Sequence, residues 1–237
     1  MHLSHFSALS FDCYGTLIDW ESGLTRALEP LIDRSGQPPE AVLEAFGRAE
    51  HELEAAHPGL LYSELLVKVY ERLSSELGLG ENAAEAAAFG NSVGDWPAFP
   101  DAPDALRYLK QHFRLIILSN VDRASFARSN ERLGVEFDHV FTAEEIGSYK
   151  PDRRNFEYML ERLSERGIDR TELLHVAQSL FHDHAPANQL GIPSAWIDRR
   201  HGKSGSGATP LPDPMPSFDF RFTSLAELAA AHRAETG

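Results

Sequence analysis

The 237-residue chain carries 36 acidic against 22 basic side chains, a net charge of −14, so no basic stripe is available to meet nucleic-acid or anionic-lipid phosphates. A hydrophobic share of 42% with 24% charged residues describes an ordinary globular protein, large enough for one domain or for a core with a smaller insertion. The single cysteine, Cys13, excludes an intramolecular disulfide framework, and the absence of a leader or a membrane-length apolar run makes a cytoplasmic protein the expectation.

In chain order, the apolar run of residues 6–12 reads as a first buried strand that ends on Asp12, with Gly15-Thr16 turning the chain. From about Ser22 to Ser92 apolar residues recur at helical spacing. Leu24, Leu28 and Leu31 form one face, Val42, Leu43, Phe46 and Leu53 a second, and Leu65, Val69 and Leu73 part of a third. The stretch Ala83–Phe89 supplies a fourth helix. Trp96-Pro97 then marks a return to alternation, and Trp96 and Phe99 stand at the junction as pocket wall or hinge anchor. Strands are predicted at Leu115–Leu118, Val140–Thr142, Leu173–Ala177, Ser194–Ile197 and Phe220–Phe222. Helices are predicted near 103–112, 123–133, 152–166, 185–190 and 225–232. Such alternation predicts right-handed βαβ units and a parallel sheet covered on both faces. The Gly/Ser/Pro-rich stretch 202–216 reads as a surface loop; its GKSGSG lacks the spacing of a phosphate-binding loop.

Four polar positions fall just after a strand or at a helix start: Asp12, Ser119-Asn120, Lys150 and Asp183. A parallel sheet brings such positions to one edge, where ligands bind. Each alone also reads as a cap or a surface residue. Together, FDCYGTLID, LSN, YKPD and the late Asp183 resemble the haloacid dehalogenase superfamily over nearly the whole chain.

That resemblance implies an α/β fold: a Rossmann-like parallel sheet core with helices on both faces and an inserted α-helical cap. The core would comprise residues 1–19 and 97–237 and the cap residues 20–96. Asp12 would be the nucleophile that forms an ester, Ser119 would bind the substrate's anionic group, and Lys150 would steady the charge gathered there. Phosphatases of the superfamily carry a second Asp two residues after the nucleophile, as the acid for a poor leaving group. Here that residue is Tyr14, and the acidic metal-binding position five residues before the late Asp is Gln178. A halide leaves without a proton, and a hard cation prefers carboxylates. Both changes favour the type II (S)-2-haloacid dehalogenase branch, acting on a small anionic substrate with no cofactor. Mg²⁺ would be needed if the phosphatase alternative held.

The same resemblance places Arg48 on the second cap helix as a halide ligand with Asn120, and the backbone N–H groups of Cys13 and Tyr14 at the substrate carboxylate. The Cys13 side chain reads as packing rather than reactive. Departures stand at Gln178, Leu180, His182 and Phe156, positions that shape the pocket in well-matched members. His182 or His184, beside Asp183, would help activate water; His175 lies in the same cluster. Trimming of the pocket by these changes keeps a non-catalytic, anion-binding protein as a further alternative. A homodimer is what the resemblance suggests.

Overall fold

The computed structural model describes residues 1–202 and 212–237, so most of the Gly/Ser-rich loop lies outside the described residues. β1 (Ala8–Phe11) is the hub of a six-stranded sheet. It pairs in parallel with β2 (Arg114–Ser119) on one side and β4 (Leu173–Ala177) on the other. β3 (His139–Thr142) lies outside β2, and β5 (Ser194–Ile197) and β6 (Phe220–Phe222) extend the sheet beyond β4. The order β3-β2-β1-β4-β5-β6 is parallel throughout and reverses direction at β1, which opens a crevice at the strand C-termini.

All four residues of β1 are buried, as an apolar run covered on both faces requires. α6 (Ala102–Leu109), α7 (Arg123–Leu133), α8 (Ala143–Ile146), α9 (Arg153–Ser164), α10 (Ala185–Leu190) and α11 (Leu225–Thr236) complete the strand–helix alternation. Asp122 caps α7 by accepting from Ser125 N at 2.8 Å. The strands match the prediction to within two residues. One difference is local: β4 is followed by a π-helical turn, Leu180–His184, before α10 begins, and that turn carries Asp183. Ser179 caps it by accepting from His182 N at 2.9 Å.

Between β1 and β2 the chain forms α1 (Trp20–Ala27), α2 (Glu29–Ser35), α3 (Pro39–Ala56), α4 (Tyr62–Glu76) and α5 (Ala83–Gly90), with no strand of the sheet among them. Phe46 of α3 meets Phe89 of α5 edge-on at 6.1 Å, and Val69 and Leu73 of α4 are buried in the same cluster. The helical spacing at 42, 46, 65, 69 and 73 thus buries one stripe of each helix. Trp96 is buried, edge-on to Tyr14. It passes so close to α1 that a Cβ on Gly23 would lie 2.3 Å from its Cγ. That contact makes Trp96 an anchor at the junction and keeps it off the pocket wall. Among the described residues no helix is long and apolar enough to cross a membrane.

Candidate active site

Asp12 leaves the C-terminal end of β1 and is 7% exposed. Gly15, at φ 97°, lets the chain turn back at once; a Cβ there would be strained and would crowd Trp20 Nε1 at 3.0 Å. The turn returns Thr16 to the carboxylate, where its Oγ1 donates to Asp12 Oδ2 at 2.7 Å while accepting from Gln178 N at 2.9 Å. One hydroxyl therefore ties the loop after β1 to the loop after β4.

Lys150 is 2% exposed. Its Nζ donates to Asp12 Oδ1 at 2.9 Å, Asp183 Oδ1 at 2.7 Å and the Leu118 carbonyl at 3.0 Å. Three acceptors exhaust an ammonium's three hydrogens. Burial disfavours the charged amine, but Asp12 and Asp183 outweigh that and raise its pKa. Burial likewise pushes the Asp183 carboxyl up, and Lys150 with His175 reverses this to hold it well below the usual carboxylate range. Asp12 moves the other way. Burial raises it, and Lys150 and Thr16 recover only part of that because Asp183 shares the same ammonium. A more basic carboxylate is the better nucleophile.

A second chain of contacts orients Asp183. Ser10 and His175 face each other across the β1–β4 register, with Ser10 Oγ 2.9 Å from His175 Nδ1 and His175 Nε2 3.0 Å from Asp183 Oδ1. An ionised carboxylate only accepts, so Nε2 is the donor in that contact. Among the described residues four buried side-chain polar atoms lack a hydrogen-bond partner. Three of them, Ser119 Oγ, His182 Nε2 and Asp183 Oδ2, belong to residues of the pocket that Asp12 and Lys150 also line. Orphaned polar atoms gathered at one cavity mark a ligand site.

The sequence-predicted residues divide here. Asp12, Tyr14, Ser119, Asn120, Lys150, His182 and Asp183 converge on one pocket. Arg48 does not: it is exposed on α3, and the helix turns Gly47, Glu50, His51 and Glu54 to the pocket instead. The expectation for Arg48 missed by helical register, since positions 47, 50, 51 and 54 share a face that 48 does not. Asn120 is also spoken for. Its Oδ1 accepts from Lys150 N at 2.7 Å, and its Nδ2 donates to the Lys150 carbonyl at 3.0 Å and to Glu54 Oε1 at 3.2 Å.

His184 is buried with both ring nitrogens engaged, Nδ1 on Ser194 Oγ at 2.9 Å and Nε2 on the Ala177 carbonyl at 3.0 Å, so it packs the strand ends rather than reaching water. His182 reaches the pocket, but Ser179 Oγ accepts from its amide and lies 3.2 Å from Nδ1. When Ser179 gives its hydrogen to Nδ1, the ring hydrogen sits on Nε2, the nitrogen that has no protein partner. Burial depresses its pKa to about 4. His182 is thus a neutral donor to the pocket, not a ready base. The Cys13 side chain is fully buried and its thiol pKa is raised by burial, which keeps it protonated. Phe156, also fully buried, lies edge-on to His175 at 5.0 Å. It supports the histidine that the pocket carboxylate depends on.

Tyr14 turns its hydroxyl onto Ser129 Oγ at 2.8 Å, away from Asp12. The donor set does not fit a hard cation. Lys150 Nζ stands between the Asp12 and Asp183 carboxylates, Gln178 is an amide, and no group of three His, Cys, Asp or Glu side chains among the described residues could hold a metal ion. Thr16, His175, Glu50 and Glu54 carry much of this geometry. A buried-strand Ser10 and His175 at matching register was the available signal for the histidine.

The family model described as haloacid dehalogenase-like hydrolase matches residues 6–180. The (S)-2-haloacid dehalogenase of Pseudomonas sp. (strain YL) is 27% identical over 250 residues, covering 99% of this chain and 100% of that protein. Pyrimidine 5'-nucleotidase YjjG of Escherichia coli (strain K12) is 28% identical over 144 residues, with 59% of this chain and 60% of that protein covered. The solved structure of L-2-haloacid dehalogenase from Xanthobacter autotrophicus shares the fold at a TM-score of 0.77 and 21% identity, covering 96% of this chain and 98% of that one.

Proposed function

The chain belongs to the haloacid dehalogenase-like hydrolases, and from that membership we propose that it hydrolyses the carbon–halogen bond of a short 2-haloacid through an ester on Asp12. A carboxylate oxygen of Asp12 attacks C2 from the side opposite the halogen, and the C–X electron pair leaves with the halide. Lys150 keeps Asp12 ionised before attack and, once the ester has formed, pairs with Asp183 alone. Asp183 Oδ2, the oxygen without a protein partner, accepts a hydrogen bond from the hydrolytic water and aims it at the ester carbonyl; one of the water's protons goes to the departing alkoxide and the other is released. Ester opening returns the Asp12 carboxylate and releases a 2-hydroxy acid. Ser119 Oγ and His182 Nε2–H are the free donors for the substrate carboxylate, helped by backbone N–H groups at Cys13 and Tyr14.

The observation that carries this reading is the pairing of a lysine-bridged nucleophile with a Tyr14 hydroxyl held on Ser129. Phosphoryl transfer needs metal ligands and an acid near the nucleophile, and Tyr14 supplies neither; no cofactor enters the proposed steps. In the same reading residues 20–96 form a cap over a core of residues 1–19 and 97–237, excluding water while the ester forms. The active species is a homodimer, to be measured by light scattering. Purified protein assayed on (S)-2-chloropropionate in EDTA should release chloride, and Asp12→Asn should lose that activity by about 10⁴-fold or more. Phosphate release from an ester with Mg²⁺, and no halide release, would replace this reading with the phosphatase one. Inactivity on both would favour an anion-binding role.

A further inference from the structure

An attacking carboxylate must be held at a fixed angle, and Asp12 has two side-chain partners that hold it, Lys150 on Oδ1 and Thr16 on Oδ2. Lys150 is itself fixed by Asp183 and the Leu118 carbonyl. Thr16 depends on the shape of the loop that carries it. That residue is fully buried, and among the described residues no backbone N–H donates to its carbonyl oxygen. A buried carbonyl is costly to leave without a donor. The donor comes from the far end of the chain. Arg199, just beyond β5, gives the Thr16 carbonyl two hydrogen bonds, from Nε at 3.1 Å and from Nη2 at 2.8 Å.

The guanidinium is itself held from several sides. The Arg199 side chain is 7% exposed. Its Nη1 donates to Asp101 Oδ1 at 2.7 Å, and its plane lies over the Phe99 ring, 4.1 Å from the centroid. The other oxygen of Asp101 accepts from Leu225 N and Ala226 N, in the first turn of α11, at 2.8 and 3.1 Å. Phe99 and Asp101 belong to the segment that returns the chain from α5 to α6. That segment runs beside residues 17–19: Phe99 N donates to the Leu17 carbonyl at 2.9 Å and Asp19 N to the Pro97 carbonyl at 2.8 Å. Arg199 therefore clamps the outgoing and the returning chain together, one turn away from the nucleophile. A lysine could not do the same, because one ammonium lacks the planar fork that meets a carbonyl, a carboxylate and a ring face at once.

We propose that Arg199 is a positioning residue for the reaction: by holding the Thr16 carbonyl it keeps the Thr16 hydroxyl on Asp12 Oδ2 and so keeps the nucleophile aimed. The inference rests on the ester reading for Asp12 and deepens it. Arg199 does not line the active-site pocket. It lines a second cavity, with Asp19, Phe99 and Arg200 among its walls, that shares only Trp20 and Gln178 with the first. Its effect on Asp12 passes through Thr16.

The test compares Arg199→Ala, Arg199→Lys, Thr16→Val and the double variants in steady-state halide release from (S)-2-chloropropionate. Arg199→Ala should lower kcat by about 10-fold or more and leave KM within about threefold. Arg199→Lys should recover little of the loss, and millimolar guanidinium, entering the second cavity, should restore part of it in Arg199→Ala. In a Thr16→Val background, Arg199→Ala should cost less than about twofold further. A loss just as large in that background, or a loss confined to KM, would overturn the proposal. Should Arg199→Ala not fold, Arg199→Lys with and without Thr16→Val carries the same comparison. Carbon-13 NMR titration of the Asp12 carboxyl, assigned by Asp12→Asn, gives a readout that needs no substrate. The Thr16 bond lowers the Asp12 pKa, so Arg199→Ala and Thr16→Val should each raise it, and the double variant should raise it no further. Lys150, Asp183 and Cys13, which also face Asp12, are unchanged in all of these variants. An Asp12 titration unmoved by Arg199→Ala would overturn the positioning role. Absence of halide from wild type, with the titration shifting as expected, would sink the dehalogenation reading and leave Arg199 as the residue that places Asp12.

Discussion

The two walls of the pocket hold the same chemical group in opposite states. On the sheet side, Asp12 and Asp183 share the ammonium of Lys150, and Asp183 also takes a bond from His175. On the α3 side, Glu50 and Glu54 have only a tyrosine hydroxyl and an amide for company. Burial is common to both walls, so the difference lies in the cation. The comparison teaches that a carboxyl count says little about a site's charge until the partners are counted. The sheet-side pair is built to keep negative charge in a dry place, and the α3 pair is built to refuse it.

Removing the cation tests this contrast most severely. Lys150→Met should leave Asp12 and Asp183 as buried, unpaired neighbours, at a cost of about 3–5 kcal/mol in chemical denaturation. Much of that loss should return on combining it with Asp183→Asn, since the surviving carboxylate no longer faces another. A loss below about 1 kcal/mol would mean that solvent, rather than the lysine, balances the pair. His175→Leu should cost less, about 1–3 kcal/mol, by stripping Asp183 and Ser10 of buried hydrogen bonds.

The pH dependence of stability should carry both signatures, with opposite signs. Asp183 is depressed in the folded state, so its contribution is present above the ordinary aspartate value and is lost as pH falls toward the folded one. Glu50 is raised to about 7 from 4.5. Its contribution is complete below 4.5 and is lost as pH rises through 7, because the folded chain holds a proton that the unfolded chain releases. Wild type should therefore weaken between pH 5 and pH 8 by about 1–2 kcal/mol from Glu50, discounted for its partial exposure. Glu50→Gln should remove that share of the decline. Denaturant midpoints at the two pH values measure it, and parallel curves for wild type and variant would show that no raised carboxyl exists at position 50.

The sheet-side wall was legible in the chain and the α3 wall was not, for a physical reason. Asp12 and Asp183 follow buried strands and Ser119 ends one, and parallel pairing brings such residues to the crevice. The strand limits themselves follow from apolar runs cut by polar or turn-forming residues, which is why 173–177, 194–197 and 220–222 agree with the structure to the residue. Thr16 and the Ser10–His175 pair needed the β1–β4 register before their contacts could be seen. A helix is less forgiving. On α3 one residue turns the side chain by about 100°, so a helix position carried over by resemblance can miss the pocket face, as Arg48 does beside Gly47. Glu50 and Glu54, spaced four apart with Gly47 and His51 beside them, were visible as a polar stripe, and only the pocket separates such a stripe from a solvated face.

Arg48 is the smallest and most discriminating case. It is exposed, and it stands beside the glycine that meets the cavity rather than in it. Arg48→Ala should shift stability by no more than about 0.5 kcal/mol, as for an exposed helix position with no buried partner, and should leave kcat/KM for (S)-2-chloropropionate within about twofold. A tenfold fall in kcat/KM, about 1.4 kcal/mol, would bring the guanidinium to the halide and require α3 to rotate on substrate binding. The α3 face would then present arginine where it now presents glutamate.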